Sequence, residues 1–201
     1  MKLNTREITR IALFAALLVI CANIAIPLPI GIPFTLQVFA VALMAFTLPL
    51  KETMLAISLY IFMGLAGLPV FSGWRGGLVQ TIASPTFGFI LGFIPMALAI
   101  FFVNRIGVTR HGEREKYNKI ALFRATLASF AGLLLLYVFG LGIVYVNALL
   151  TAGEGVPFTK LLGAYCLPFL PLDAVKFVLA YVVSLRLKKI LKLDKTTAAS
   201  N

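Results

Sequence analysis

The sequence has few charged residues, and most of its charges are of one sign. Only 12% of its 201 residues are charged, with seven acidic and 18 basic side chains, whereas 61% are hydrophobic and the mean hydropathy is +1.01. Soluble domains average roughly a quarter charged residues and about half apolar residues. Because so few polar side chains cannot cover a domain of this size, the composition excludes a soluble globular enzyme and indicates a protein solvated by lipid.

Histidine and cysteine are nearly absent as well. The single His111 lies in a charged connector, and Cys21 and Cys166 lie in apolar runs without a CxxC spacing. We therefore expect no metal site, no disulfide and no cofactor, with both cysteines acting as small buried apolar residues. The sequence also has no G-x-x-x-x-G-K-[ST] phosphate loop, so we expect no ATP hydrolysis by that route in this chain.

The net charge of +11 is unevenly distributed. Basic residues concentrate near the amino end, in residues 104–124 and in the tail from residue 186, whereas residues 11–41 contain no charged side chain. A nucleic-acid-binding surface would combine cations with exposed aromatic residues, but here the 17 Phe lie mostly inside apolar runs. The pattern is that of a protein with several membrane-spanning segments, and we expect no nucleic-acid partner.

Six segments are apolar enough to be read as spanning helices, the third of them short and the fifth long, since a span takes about 20 residues. The first, which begins after Lys2, Arg6 and Arg10, is interpreted as an uncleaved helix and not a signal peptide, because several further segments follow it. The predicted spans are 8–26, 34–50, 53–67, 86–103, 120–147 and 161–187.

The basic residues also predict the orientation. With the amino terminus in the cytoplasm, 15 of the 18 basic residues fall on cytoplasmic ends, leaving only Arg75, Lys160 and Lys176. We predict an all-α, polytopic integral membrane protein with six transmembrane helices and both termini cytoplasmic. Residues 1–193 form a single domain in this prediction, and residues 194–201 form a short polar tail.

Two loops on the predicted outer side are candidates for a binding site. Residues 27–33 form a charge-free strip with three prolines, which must be extended and either caps the bundle or covers a site. The second loop has five glycines within residues 64–77 and carries Trp74 and Arg75. Arg75 is suited to bind a carboxylate with its guanidinium fork, although Trp74 and Arg75 together are also typical of an interfacial anchor.

The strongest polar signal lies in the sixth segment. Asp173 and Lys176 are three residues apart, just after Pro168 and Pro171, so both side chains lie on one face of a helix. Charges at membrane depth cost about 2.5–3.5 kcal/mol each on insertion scales, which favours a functional role over simple packing. The pair is therefore the first candidate for a ligand site.

Two pairs of small residues indicate close helix contacts. Ala12 and Ala16 are four residues apart in the first segment, and Gly88 and Gly92 are four apart in the fourth. Such pairs let helix backbones approach closely, either within the bundle or against a partner protein. The sequence alone leaves both interpretations open.

Several stretches within residues 8–185 form a recognisable set of motifs. They are residues 33–37, residues 67–71 continuing through Arg75-Gly76-Gly77 to Pro85, Thr86 and Gly88, residues 91–93, and residues 168–171 with Asp173 and Lys176. Together these stretches resemble the BioY family, the biotin-binding subunits of energy-coupling factor (ECF) transporters. At Ser84, Phe87 and Leu172 the sequence departs from glycines that the family usually has.

The resemblance implies a high-affinity subunit that captures biotin near the outer face of a prokaryotic plasma membrane, is not an enzyme itself, and works with a transmembrane coupling protein and two ATPases. Ala12 and Ala16 match the family's docking motif for the coupling protein. Biotin consists of a ureido ring, a thiophane ring and a valerate chain that ends in a carboxylate. Asp173 and Lys176 are predicted to bind the ureido group, and Arg75 is predicted to bind the carboxylate. Thr35 and Gln37 are predicted to form further hydrogen bonds. Phe71 and Trp74 are predicted to form apolar walls.

Two other functions are compatible with a polytopic protein. A stand-alone secondary transporter of a small carboxylate would use protonation of Asp173, and a polytopic membrane enzyme would use Asp173 as a base and Arg75 to hold a phosphate. The enzyme also needs a nucleophile or a metal cluster, and the sequence shows neither.

Overall fold

The computed structural model is mostly helical, and its helices follow the predicted apolar segments. It describes residues 3–28, 32–106, 119–152, 157–191 and 193; His111 and the predicted tail 194–201 lie outside these ranges. The described elements are α1 (Thr5–Asn23), β1 (Ala25–Ile26), β2 (Phe34–Thr35), α2 (Gln37–Thr47), α3 (Leu50–Leu65), α4 (Leu78–Ile82), α5 (Phe87–Val103), α6 (Lys119–Ala152), α7 (Phe158–Tyr165) and α8 (Leu170–Ile190).

All six segments predicted as helices contain helices, with three differences. The first helix ends at Asn23, because Ala25–Ile26 of the predicted span 8–26 form β1. Helix α2 begins at Gln37 and not at residue 34, because Phe34 and Thr35 pair with β1 in a short antiparallel hairpin. The sixth segment is broken into α7 and α8, which meet at a bend of 52°. Pro168 and Pro171 account for the break, since proline cannot donate a backbone hydrogen bond inside a helix.

The described helices differ in their capacity to cross a bilayer. Lys119–Leu150, within α6, is long and apolar enough, and the bent pair α7–α8 passes the same test if it is taken as one span. Helices α2 and α5 are apolar but shorter. Length and composition of the described helices thus support one or two spans directly, and the six-span topology stays a prediction.

Helix α2 lies at the centre of the bundle. It packs against α1, α5 and α8, and nine of its 11 residues are buried, which explains why it is apolar all round.

Helix α1 is fixed at its first turn by a capping box, in which Asn4 accepts hydrogen bonds from the backbone of Arg6 and Glu7.

Helices α5 and α6 pack most closely, and glycines make this possible. A Cβ atom on Gly88 would lie 2.7 Å from the carbonyl oxygen of Gly140, and one on Gly92 would lie 3.1 Å from the Leu136 side chain. The Gly88–Gly92 pair therefore belongs to the interior of the bundle, which resolves the choice that the sequence left open.

A buried ion pair joins α1 to α3 at the end of the bundle opposite the hairpin. Arg10 donates from Nε to Oε2 of Glu52 over 2.7 Å and from Nη2 to Oε1 over 2.6 Å, and the Glu52 side chain is buried. This bidentate geometry satisfies both carboxylate oxygens of a buried acid, which would otherwise destabilise the fold.

Candidate ligand-binding site

One cavity collects polar side chains from most elements of the chain. Its volume is about 90 Å³, so the pocket is narrow in this structure. Its wall combines apolar residues of α5, α6 and the hairpin region with polar and charged groups from several elements. The polar and charged residues lining it are Thr35, Gln37, Ser72, Arg75, Gln80, Thr81, Ser84, Thr86, Tyr137, Tyr165, Asp173 and Lys176.

Asp173 is the centre of a buried polar cluster in this wall. Lys176 donates from Nζ to Oδ1 of Asp173 over 2.8 Å, and the Tyr137 hydroxyl donates to Oδ2 over 2.9 Å. The Asp173 and Lys176 residues are only 3% and 4% exposed. Each carboxylate oxygen thus has one protein donor and keeps acceptor capacity for a second donor.

The local sequence explains why α8 carries this cluster at its start. Pro171 lies in the first turn, where the missing N–H costs nothing, and Asp173 follows within the same turn. A carboxylate is stabilised there by the positive end of the helix dipole. Lys176, one turn later, reaches back to Asp173, so the spacing of three residues produces the pair that the sequence predicted.

A second polar chain lies at the start of α2. The Thr35 hydroxyl donates to Oε1 of Gln37 over 2.9 Å, and Nε2 of Gln37 donates to the Tyr60 hydroxyl over 2.7 Å. Tyr60 is fully buried in α3 and contacts the Phe71 ring edge-on, with centroids 5.2 Å apart. The chain fixes the Gln37 amide in one orientation beside the cavity.

The glycine-rich loop after α3 places Arg75 at the mouth of the cavity. Phe71 and Arg75 pair through two backbone hydrogen bonds of 2.9 and 3.2 Å, which makes a tight turn. Gly73 and Gly77 have φ values of 74° and 104°, a conformation that favours glycine. Arg75 is exposed, and both Phe71 and Arg75 line the cavity.

Trp74 does not share this position. Its side chain is 67% exposed, it is not part of the cavity wall, and its own backbone has a positive φ of 56°. Its backbone N–H donates to Oδ1 of Asn23 over 2.9 Å. Trp74 therefore lies outside the cavity wall in this structure, and its role as an apolar wall for the ligand stays a prediction.

The other predicted residues divide between the cavity and the surface. Six residues that the sequence singled out as site candidates line the same cavity, although the sequence could not show that they meet. They are Thr35, Gln37, Phe71, Arg75, Asp173 and Lys176. Ala12 and Ala16 lie exposed on α1, while their neighbours Phe14 and Ala15 are buried. Their role in docking a partner stays a prediction.

The three departures from the family's glycines have different positions. Ser84 lines the cavity, where its hydroxyl lies 2.8 Å from the Thr86 hydroxyl. Phe87 and Leu172 are not part of the cavity wall, and the Leu172 side chain is 47% exposed. Of the three, only Ser84 is positioned to change the shape of the pocket.

Four aromatic residues in or beside the site were missed by the sequence analysis. Tyr137 and Phe169 line the cavity, Tyr60 bonds to Gln37, and Phe34 contacts Lys176. The ammonium of Lys176 lies 3.8 Å from the centroid of the Phe34 ring, which in turn stacks on Phe169 at 6.3 Å. Tyr60 and Tyr137 had a detectable signal, because each is a hydroxyl within an apolar helical run and needs a buried partner. The two phenylalanines had none, since 17 Phe occur in the chain.

This arrangement is suited to binding. The cavity offers one carboxylate, one ammonium, one guanidinium, two amides, hydroxyls and aromatic walls. Among the described residues no group of three or more His, Cys, Asp or Glu could hold a metal ion. The polar groups are held by each other, which preorganises them for a ligand with both donors and acceptors.

The fold and the site together define a helical binding protein whose interior polar groups converge on one small-molecule cavity. A solved structure described as the S-component for biotin from an ECF-type ABC transporter has the same fold, with a TM-score of 0.72 and 21% identity, over 94% of this chain and 95% of that one. The sequence profile of the BioY family matches residues 1–193. The chain belongs to the BioY family.

Curated relatives match over nearly their whole length. The biotin transporter BioY of Thermotoga maritima is 36% identical over 186 residues, covering 92% of this chain and 97% of the relative. The biotin transporter BioY of Rhodobacter capsulatus is also 36% identical, over 89% of this chain and 91% of the relative. This confirms the family resemblance seen in the sequence motifs.

Proposed function

We propose that this protein is the high-affinity biotin-binding subunit of an energy-coupling factor transporter in a prokaryotic plasma membrane. It captures biotin and leaves ATP hydrolysis to two partner ATPases, to which a transmembrane coupling protein connects it. The topology that belongs to this proposal has six transmembrane helices with both termini in the cytoplasm. Family membership and the names of the relatives support the ligand.

The observation that carries the proposal is the Asp173–Lys176–Tyr137 cluster inside the cavity. A ureido group has two N–H donors and one carbonyl acceptor. Asp173 has acceptor capacity for the donors, and Lys176 has donors for the carbonyl oxygen. The apolar walls suit a thiophane ring, and Arg75 at the mouth suits the terminal carboxylate.

A calorimetric titration of the detergent-purified chain with biotin tests the proposal. We expect saturable binding with one site per chain and affinity in the nanomolar range. Desthiobiotin, which keeps the ureido and carboxylate groups, should bind more weakly but at the same site, and should compete with biotin. A folded sample that binds neither compound would refute the function.

A further inference from the structure

The Phe34 side chain lies directly against the only ammonium group in the cavity wall. Nζ of Lys176 lies 3.8 Å from the centroid of the Phe34 ring and 2.8 Å from Oδ1 of Asp173. The lysine is 4% exposed, so water does little to stabilise its charge. The face of an aromatic ring attracts a cation, and the attraction grows when water is excluded.

The position of Phe34 is fixed from two sides. In the hairpin, Phe34 pairs with Ile26 and Thr35 pairs with Ala25. Successive side chains of a strand point to opposite faces, so Thr35 reaches Gln37 while Phe34 reaches Lys176. The Phe34 ring also stacks on Phe169, with an interplanar angle of 28°.

These contacts leave part of the ammonium available. One side of the Lys176 ammonium faces Asp173 and another faces the Phe34 ring, which accepts no conventional hydrogen bond. The remaining donors are free to reach a ligand in the cavity that Lys176 lines. The ring therefore stabilises the charge without competing strongly for the donors that a ligand needs.

We propose that Phe34 is a positioning residue for ligand binding, whose ring face holds the Lys176 ammonium for donation to a carbonyl oxygen of the ligand. This inference rests on the proposed function, because it assumes that the ligand is biotin. The ring holds the ammonium in position before the ligand arrives, so a weaker ring face leaves Lys176 less well ordered for donation and raises the Kd. The strength of biotin binding thus depends on the electron density of the ring face, and not only on its shape.

A series of fluorinated phenylalanines at position 34 separates these two properties. Mono-, di- and trifluorophenylalanine keep the ring nearly the same size but progressively weaken its negative face. We expect the biotin Kd, measured by calorimetry, to rise stepwise by about tenfold in total, which corresponds to about 1.4 kcal/mol of cation–π energy. Thermal unfolding of each variant checks that the fold is kept.

The matched control is the same series at Phe14, which is buried in α1 and lies outside the cavity wall. In the described part of the chain no cation lies over its ring, so its series should leave the Kd unchanged. A flat series at Phe34, tighter binding on fluorination, or an equal loss at Phe14 would each overturn the inference.

A second background tests whether the effect passes through Lys176. In a Lys176→Met variant titrated at high biotin concentration, fluorination at Phe34 should no longer change the Kd. A persistent stepwise change in that background would show that Phe34 acts by another route and would overturn the inference. Failure of the proposed function is recognised separately, because the unmodified chain itself would then bind no biotin.

Discussion

At the scale of single residues, the cavity depends on one carboxylate whose two oxygens are each already bonded. Tyr137 and Lys176 donate to different oxygens of Asp173, and all three residues are buried. Asp173 is therefore held in one orientation before a ligand arrives. Because a carboxylate only accepts hydrogen bonds, the site selects ligands that bring N–H or O–H donors.

Replacing Asp173 by Asn is expected to weaken biotin binding by about 1–3 kcal/mol, because it removes the charge that accepts ligand hydrogen bonds and leaves Lys176 without its counter-ion. Calorimetry measures the loss. The control is Glu52→Gln, which also breaks a buried ion pair but lies outside the cavity wall. It should lower the unfolding temperature while keeping the Kd, and equal losses of affinity in both variants would contradict the assignment.

Arg75 is expected to act on the carboxylate end of the ligand. Arg75→Ala should weaken biotin binding by about 1.5–3 kcal/mol, the usual range for a hydrogen bond to a charged group. The same variant should bind biotin methyl ester as well as the unmodified chain does, because the ester has no charge to pair. A competition assay with both ligands decides this, and equal losses for acid and ester would place Arg75 elsewhere.

The sequence predicted the charged residues of the site better than the aromatic ones. Asp173, Lys176 and Arg75 stand out because charges are rare in apolar segments, whereas Phe34 and Phe169 resemble the other phenylalanines. Trp74 lies outside the cavity wall, and its backbone has a positive φ of 56°. A backbone angle of this kind leaves no signal in a residue pattern.

At the scale of elements, the α5–α6 interface depends on the absence of side chains. Gly88, Gly92, Gly132 and Gly140 lie where an added Cβ atom would meet the neighbouring helix. Glycine lowers intrinsic helix stability, so its use here indicates that close packing is worth more than helix propensity. Both helices contribute to the cavity wall, through residues such as Phe93 and Tyr137.

Gly88→Ala is expected to destabilise the fold by about 1–3 kcal/mol, because its Cβ would lie 2.7 Å from a backbone oxygen that cannot move aside. Gly142→Ala on α6 is the matched control, since nothing lies within 4 Å of its added Cβ. That control should be neutral or slightly stabilising through its better helix propensity. Thermal unfolding in detergent measures both, and similar unfolding temperatures would show that the interface adjusts.

The presence of the helices was predictable from hydropathy, but the positions at which they are interrupted were predictable only in part. Residues 161–187 were predicted as one segment, whereas the structure divides them into α7 and α8 beside Pro168 and Pro171. The hairpin of β1 and β2 was not predicted, since two residues per strand are too few to show an alternating pattern. The short helix α4 was also missed, because it lies within a loop dominated by glycines.

At the scale of the whole molecule, the cavity and the ion pair of Arg10 with Glu52 lie toward opposite ends of the bundle. In the proposed topology the ion pair is on the cytoplasmic side and the cavity on the outer side. Ala12 and Ala16 then follow the cytoplasmic end of α1, exposed and without a bulky side chain. The ligand site and the proposed docking surface are thus separate features.

Replacing Ala12 or Ala16 by Leu is expected to disrupt assembly with the coupling protein and leave biotin affinity unchanged, because added bulk keeps two helices apart. Co-purification of the complex and calorimetry of the free chain measure the two properties. Ile20→Phe, an exposed position on the same helix, controls for added bulk alone. Intact assembly in both alanine variants would show that another surface docks the partner.

The proposed orientation is testable by labelling single cysteines in whole cells. With Cys21 and Cys166 replaced by Ala, Lys160→Cys should react with a membrane-impermeant maleimide from outside. Lys189→Cys should react only after permeabilisation, since α8 ends in the cytoplasm in this topology. Both positions are exposed, so burial does not confound the comparison. The reverse pattern would invert the topology.

The pairing of Asp173 with Lys176 has an electrical consequence for transport. The two charges cancel, so the empty cavity carries only the positive charge of Arg75, and a bound biotin carboxylate neutralises it. A unit charge moved across a membrane potential of 100 mV costs or releases about 2.3 kcal/mol. If the site crosses that potential with biotin bound, its charges sum to zero and contribute no net current. If the empty site then returns, it carries one positive charge across the potential.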